Sequence, residues 1–98
     1  MTRIVWTFQA VQDVQAIRAY IGRDSPRYAA LVTEQIVEAV GRLANFPSSG
    51  RVVPELQDET LREVILGNFR IVYRVTGEEV QVLTVFHAAR QFGVPRGS

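Results

Sequence analysis

The sequence predicts a single α+β domain, in which a helical hairpin packs on one face of a small antiparallel β-sheet in the order β-α-α-β-β-β. Two apolar stripes with helical spacing occupy the first half of the chain, and three β-rich runs separated by short turn signals follow in the second half. The 98 residues are the length of one small domain. We expect this domain to span residues 1–93, and we interpret residues 94–98 as a protease-site remnant left from expression.

The first half of the chain predicts one strand and two helices. The run from Arg3 to Thr7 has the β-branched and aromatic content of a strand. Ser25 and Pro26 then suit an N-cap followed by the first residue of a helix, and the short link between the two helices favours an antiparallel hairpin. The stripe of the first helix is Ala10, Val14, Ile17 and Ile21, and that of the second is Ala29, Val32, Ile36, Val40 and Leu43.

The second half predicts three strands after an irregular connection at residues 47–60. The turn pairs Gly67-Asn68 and Gly77-Glu78 suit two-residue hairpins. If Thr76 faces Glu79, the side chains that point to the helices are apolar, and the opposite face carries arginines. The predicted strands are Leu61–Leu66, Phe69–Thr76 and Glu79–His87.

This register assigns every side chain of the last two strands to a face. The pairs predicted toward the helices are Val75/Val80, Tyr73/Val82, Ile71/Thr84 and Phe69/Phe86, and those on the other face are Arg74/Gln81, Val72/Leu83 and Arg70/Val85, with His87 near the edge. Val64 and Leu66 join the first set, whereas Leu61, Glu63 and Ile65 join the second. The prediction is a half-polar surface that turns Glu63, Arg70, Arg74 and His87 away from the helices.

The composition excludes several classes of protein. With Cys 0 and one histidine, the chain has no disulfide framework, thiolate metal site or thiol nucleophile, and no pair of histidines for a metal. All 11 cations are arginines, and the net charge of +1 argues against indiscriminate coating of nucleic acid. We expect no metal and no cofactor. No apolar run approaches the ~18 residues of a membrane span and no signal peptide is evident, so a cytoplasmic location is expected.

Two interpretations of the arginine-bearing face remain open. Arg70, Arg74 and Arg90, with His87, have the chemistry to bind a phosphate and move a proton, as an RNA-cleaving site requires. Alternatively, Glu63 lies diagonal to Arg70 and Arg74 and simply neutralises them, as cross-strand ion pairs do.

The motifs together resemble the RelE/ParE superfamily of type II toxin–antitoxin toxins, and more closely its ParE branch. The segments that carry this resemblance occur in the family's order: G-R-V-V-P-E-L at residues 50–56, F-R-I-V-Y-R at 69–74 and H-A-A-R at 87–90. The resemblance implies a small cytoplasmic inhibitor of bacterial growth, neutralised by an antitoxin whose C-terminal segment wraps around it.

The superfamily implies two different activities. ParE-like members poison DNA gyrase, and RelE-like members are ribosome-dependent mRNA endonucleases. Arg70 matches a phosphate-contacting arginine of the nucleases, Arg90 lies close to another basic position, and His87 can stand for a late histidine. Only Arg62 is cationic at residues 61–63, however, and Phe92 stands near the position of a tyrosine that some nucleases need. These departures favour gyrase over the ribosome and mRNA as the target.

The resemblance also implies partners. Arg18, Arg23 and Arg42, off or at the ends of the apolar stripes, are candidates for contacts with acidic residues of the antitoxin, although solvated surface is the simpler role. A non-toxic homologue that keeps only antitoxin binding is a third possibility. No membrane partner is expected, and no direct sequence-specific DNA binding by this chain alone.

Overall fold

The computed structural model describes residues 2–88, which form two helices and a five-stranded sheet. The strands and helices are β1 (Arg3–Trp6), α1 (Phe8–Gly22), α2 (Pro26–Arg42), β2 (Arg51–Val52), β3 (Leu61–Leu66), β4 (Phe69–Val75) and β5 (Glu79–His87). The sheet order is β1-β5-β4-β3-β2. Arg90, Phe92 and the predicted remnant at 94–98 lie outside the described residues.

The predicted α+β class and the helical hairpin are confirmed. The Thr7 side chain caps α1 by accepting the N–H of Ala10, and the Ser25 side chain caps α2 by accepting the N–H of Tyr28, with Pro26 in the first turn. The whole predicted stripe of α2 is buried. In α1, Ala10 is fully buried, and Val14, Ile17 and Ile21 pack half-buried against the same core.

The sheet is mixed rather than purely antiparallel. β1 pairs with β5 in parallel, from Arg3 opposite Glu79 to Trp6 opposite Val82, whereas the other three pairings are antiparallel. A tight hairpin forces antiparallel pairing, but β1 is joined to the rest by two helices, which leave its direction free. The short strand β2 also lies inside the predicted connection. Its two residues are too few to show a period-two alternation in the sequence.

The predicted register of β4 and β5 is correct near the turn and wrong beyond it. Val75 faces Val80 and Tyr73 faces Val82, as predicted, but Val72 then faces Thr84 because Leu83 is an extra residue in a β-bulge. From there each residue of β5 is shifted by one position. Ile71 therefore faces Val85, Arg70 faces Phe86 and Phe69 faces His87.

Both faces of the sheet are covered. The helices bury a core that contains Ile36, Ile71 and Val82. On the other face, residues 53–60, which we call the strap, cover a second apolar cluster. The buried members of this cluster are Val53, Leu61, Val72 and Phe86, and Leu56 and Leu83 pack against them. Val53 and Leu56 belong to the strap itself. The prediction that this face turns outward is wrong, because its apolar residues need cover and the strap supplies it.

Candidate functional site

Glu63 and Arg70 lie beneath the strap, on the face of the sheet opposite to the helices. Glu63 on β3 faces Val72 on β4, so Arg70 is its diagonal neighbour on the same face. The two residues are almost completely enclosed, with 1% of Glu63 and 6% of Arg70 exposed. Charged side chains at this depth must be paired, since an isolated buried charge is very costly.

Arg70 is paired with two carboxylates. Its Nη1 and Nη2 donate to the two oxygens of Glu55 at 2.8 and 2.9 Å, which is a bidentate contact. Its Nε donates to Glu63 Oε1 at 2.8 Å, and its Nη2 donates to the same oxygen. The guanidinium carbon lies 5.3 Å from the ring centroid of Phe86. The hydrogen bonds that Arg70 donates to Glu55, followed by those it donates to Glu63, raise the pKa of Arg70, against the opposing effect of burial.

Glu63 also binds a second arginine. Arg51 on β2 donates from Nε to Glu63 Oε2 at 2.5 Å, and its side chain remains largely exposed. Glu55, Glu63, Arg51 and Arg70 therefore form an ion-pair network with two positive and two negative charges. This network joins the strap to β2, β3 and β4, and the predicted neutralisation of Arg70 by Glu63 is confirmed.

Arg74 does not share this network. Its Nη1 donates to the Thr60 hydroxyl at 3.2 Å and lies 4.0 Å from Asp58 Oδ2, so these two partners lie in the strap rather than at Glu63. The prediction that Glu63 neutralises Arg74 is wrong. Hydrogen bonds from the side chain and backbone of Thr60, with a smaller effect of Arg74, hold the pKa of Asp58 below its ordinary value. Arg74 stays at the edge of the covered face, partly open to solvent.

His87 lies on the opposite face from Arg70. The bulge places it opposite Phe69, and the two rings meet edge to face with centroids 5.9 Å apart and an interplanar angle of 74°. The structure therefore brings Glu63 and Arg70 together, keeps Arg74 on the same face, and separates His87 from them. Arg90, the remaining candidate, lies outside the described residues.

The candidate arginines of the helices occupy two places. Arg18 and Arg23 line an open cleft of about 520 Å³ at the closed end of the helical hairpin, together with Gly22, Pro26 and Ala29. The guanidinium of Arg23 lies 6.0 Å from the ring centroid of Tyr20. Arg42 is in the last turn of α2, at the other end of the hairpin. The helices also expose large apolar side chains: Phe8, Val11, Tyr20, Tyr28, Leu31 and Val37.

Sequence reasoning missed Glu55 and Arg51 as members of the ion-pair network. Both lie in the irregular stretch that was interpreted as a plain connection. The available signal was Val53 and Leu56, two apolar residues in that stretch without a predicted core to join. These two strap residues pack against the sheet and thereby bring Glu55 over Arg70.

Among residues 2–88, the structure contains no cluster of three or more histidine, aspartate or glutamate side chains suited to a metal ion. Within the same residues, neither helix is both long enough and apolar enough to span a membrane.

Comparison with known proteins identifies the family. The family model described as the ParE toxin of the type II toxin–antitoxin system parDE matches residues 4–92. The chain belongs to the ParE toxin family. Its membership of the wider RelE/ParE superfamily, which the sequence motifs predict, is confirmed.

Two relatives, both named as toxins, match over nearly their whole length. Toxin Y4kP of Sinorhizobium fredii is 39% identical over 92 residues, which cover 92% of this chain and 92% of that protein. Toxin RelE2 of Caulobacter vibrioides is 38% identical over 91 residues, which cover 92% of this chain and 99% of that protein. One relative of this ParE-family chain thus carries a RelE name.

Solved structures agree with the fold. A chain from the chromosomal ParDE toxin–antitoxin system of P. aeruginosa superposes with a TM-score of 0.74 at 29% identity, covering 89% of this chain and 96% of that one. A chain of the RelBE2 toxin–antitoxin complex of Mycobacterium tuberculosis gives a TM-score of 0.58 at 23% identity, covering 88% and 96%. The second likeness concerns the fold alone.

Proposed function

We propose that this ParE-family toxin inhibits bacterial growth by poisoning DNA gyrase through protein–protein contact, in the cytoplasm, and that a cognate antitoxin neutralises it. The observation that carries the choice of target is the pairing of Arg70. Its bidentate contact with Glu55 and its bonds to Glu63 occupy the guanidinium at 6% exposure. A nuclease that uses this arginine on a phosphate would need those donors for its substrate.

The position of His87 supports the same target. A site that stabilises a phosphorane and moves protons needs its arginine and its proton carrier close to one reacting group. The edge-to-face contact of His87 with Phe69 belongs to the helix side of the sheet, whereas Arg70 belongs to the strap side. This separation argues against a nuclease built from the two residues.

A supercoiling assay tests the proposed target. Purified protein is added to gyrase, ATP and relaxed plasmid. We expect loss of supercoiling and accumulation of linear DNA from trapped cleavage complexes. Absence of both effects at high molar excess of the protein would rule out the gyrase target.

Arg74 provides a variant for this assay, because among the candidate cations of residues 2–88 it remains partly exposed on the strap side. We expect Arg74→Ala to weaken gyrase inhibition if this edge contacts the enzyme. Arg27→Ala, which removes an exposed arginine from the first turn of α2, is the matched control. Equal inhibition by the two variants would remove Arg74 from the proposed contact surface.

A RelE-like ribosome-dependent endonuclease is the second candidate, favoured by the 38% identity to toxin RelE2 over 91 residues. Primer extension on translated mRNA after induction distinguishes it from the gyrase poison. New 5′ ends at defined codon positions would favour the endonuclease and contradict our choice. If induction of the protein without an antitoxin leaves growth unchanged, the protein is a non-toxic homologue.

The helical hairpin is the surface that we propose for the antitoxin. Arg18 and Arg23 line one cleft, and apolar side chains are exposed along both helices. This combination suits an amphipathic segment that carries acidic residues. We expect Arg18→Glu to weaken binding in a titration with labelled antitoxin. Arg42→Glu changes the far end of the hairpin. Weaker antitoxin binding by this variant as well would show that the antitoxin contacts the hairpin along its whole length.

A further inference from the structure

Two side chains at the start of the helical hairpin bracket the bulge in β5. Thr7 Oγ1 donates to the carbonyl of Val82 at 2.7 Å, just before the extra residue Leu83. Asp13 Oδ2 accepts the backbone N–H of Val85 at 3.0 Å and the Thr84 hydroxyl, just after it. We infer that Asp13 selects the bulged register of β5 and thereby positions the end of this strand for toxin activity. The second half of this inference rests on the proposed function.

Asp13 accepts a backbone N–H of β5 at a point where, among the described residues, this strand has no neighbouring strand on that side. β1 pairs with β5 only as far as Val82, and beyond that point no strand within residues 2–88 pairs with β5 on that side. A backbone N–H there needs another acceptor, and a carboxylate is a strong one. The second oxygen of Asp13 accepts from Gln9 Nε2 at 2.8 Å, which fixes the carboxylate on α1.

β4 and β5 can be paired in two ways, and the two differ by one residue. Without the bulge, Ile71 faces Thr84 and Phe69 faces Phe86, so Thr84 and Phe86 point to the helices. With the bulge, Phe86 packs under the strap and its ring lies beside Arg70. A shift of one residue exchanges the faces of every side chain that follows. In the unbulged pairing the backbone N–H of Val85 would point to β4, and only the bulged pairing turns it toward Asp13.

The register after the bulge also fixes the faces of the residues at the end of β5. The register after Leu83 decides whether Phe86 or His87 belongs to the face that carries Arg70. Asp13 is thus a positioning residue, which acts through the backbone of β5 and not by contact with a target.

The test compares Asp13→Ala with Asp13→Asn and with Asp24→Ala. Asp13→Ala removes both hydrogen bonds to β5, whereas the asparagine keeps an oxygen that can accept the Val85 N–H. Asp24→Ala makes the same change of charge at an exposed position after α1. Register is read by NMR from the nuclear Overhauser effects between the Phe86 ring and the Arg70 side chain, and between the rings of Phe69 and His87.

We expect both signals to be lost in Asp13→Ala and kept in the other two variants. Growth inhibition should fall about 10-fold or more in Asp13→Ala, because activity follows the fraction of molecules in the competent register. Deleting Leu83 from Asp13→Ala should restore both signals and toxicity, since Thr84 then follows Val82 and faces Val72 without a bulge. A residue that merely stabilises α1 would not be rescued by that deletion.

Retention of both signals in Asp13→Ala, or no rescue on deletion of Leu83, would overturn the inference. A changed register with unchanged toxicity would overturn the positioning role. If Asp13→Ala alone does not fold, folding of the deletion variant decides the question. If the wild-type protein is not toxic, the proposed function fails, and the NMR and deletion results still decide whether Asp13 selects the register.

Discussion

Tyr73 connects the loop before β2 to the centre of the sheet. Its hydroxyl accepts the backbone N–H of Gly50 at 2.9 Å and donates to the carbonyl of Pro47 at 2.8 Å. The residue is fully buried on β4. Burial raises the pKa of Tyr73 above its ordinary value of 10.0, against the smaller lowering effects of the Gly50 N–H and Arg62.

This pKa shift predicts a loss of stability in alkali. In the unfolded chain Tyr73 ionises near its ordinary pKa of 10.0, while in the folded chain it keeps its proton to higher pH. The unfolded state therefore binds fewer protons, so the free energy of unfolding falls as the pH rises above about 10. Urea unfolding at a series of pH values measures this slope.

Tyr73→Phe should lack the alkaline loss and should be less stable at neutral pH. The variant leaves the buried Gly50 N–H without its acceptor, at a cost of about 1–3 kcal/mol. Tyr28→Phe is the control, because 54% of Tyr28 is exposed, and a surface change of this kind should stay within about 0.5 kcal/mol. An identical pH profile for wild type and Tyr73→Phe would show that another group causes the alkaline loss.

Gly50 lies where a side chain has no room. A Cβ added at this position would lie 2.6 Å from the carbonyl oxygen of Glu63 and 2.6 Å from the Tyr73 hydroxyl. Gly50→Ala should therefore lower the free energy of unfolding by about 1–3 kcal/mol, as overpacking does. Gly41→Ala in α2 meets no atom within 4 Å and should raise it by about 0.5–1 kcal/mol. Equal effects of the two changes would contradict the packing at Gly50.

At the scale of elements, α2 depends on one face of its surface. Ile36 is fully buried and Val37, the next residue, is 51% exposed. Ile36→Ala should cost about 2–5 kcal/mol, because it removes core contacts and leaves a cavity. Val37→Ala should change the free energy of unfolding by less than about 0.5 kcal/mol. Chemical denaturation of the two variants measures the difference, and similar losses would mean that the helix is rotated from the orientation described.

The bounds of the main elements were predictable because they depend on local signals. The cap at Ser25, the turn at Gly67 and the stripe of α2 depend on neighbouring residues. Thr7 was assigned to the first strand, whereas its side chain caps α1. The bulge at Leu83 was not predictable in this way. It depends on Asp13, which lies 72 positions before Val85 in the chain.

At the scale of the whole molecule, an antitoxin that binds only the folded toxin must stabilise it by mass action. At a free concentration of 100 times its Kd, the proposed partner should add about 2.7 kcal/mol. For a domain of this size, that corresponds to a rise in Tm of roughly 10–20 °C. Thermal unfolding at increasing partner concentration measures the rise, and an unchanged Tm under saturating partner would contradict the proposed complex.

At the scale of the whole chain, only some contacts of the candidate site were predictable from the sequence. The pairing of Glu63 with Arg70 follows from a hairpin register, so it was predictable. The addition of Glu55 and Arg51 requires the strap to fold back over the sheet, and that placement has no local period. The position of His87 depends on the bulge and was wrongly assigned to the arginine-bearing face.

By itself, the amino-acid sequence determined the class of fold, the helical hairpin, the faces of β3 and the resemblance to a toxin superfamily. These features follow from periodicity, caps and turns, which act over a few residues. Only the tertiary structure decided the parallel pairing of β1, the cover over Arg70 and the register of β5. Each of these depends on contacts between distant segments, where burial of apolar surface and pairing of buried polar groups choose among arrangements that the local signals leave equivalent.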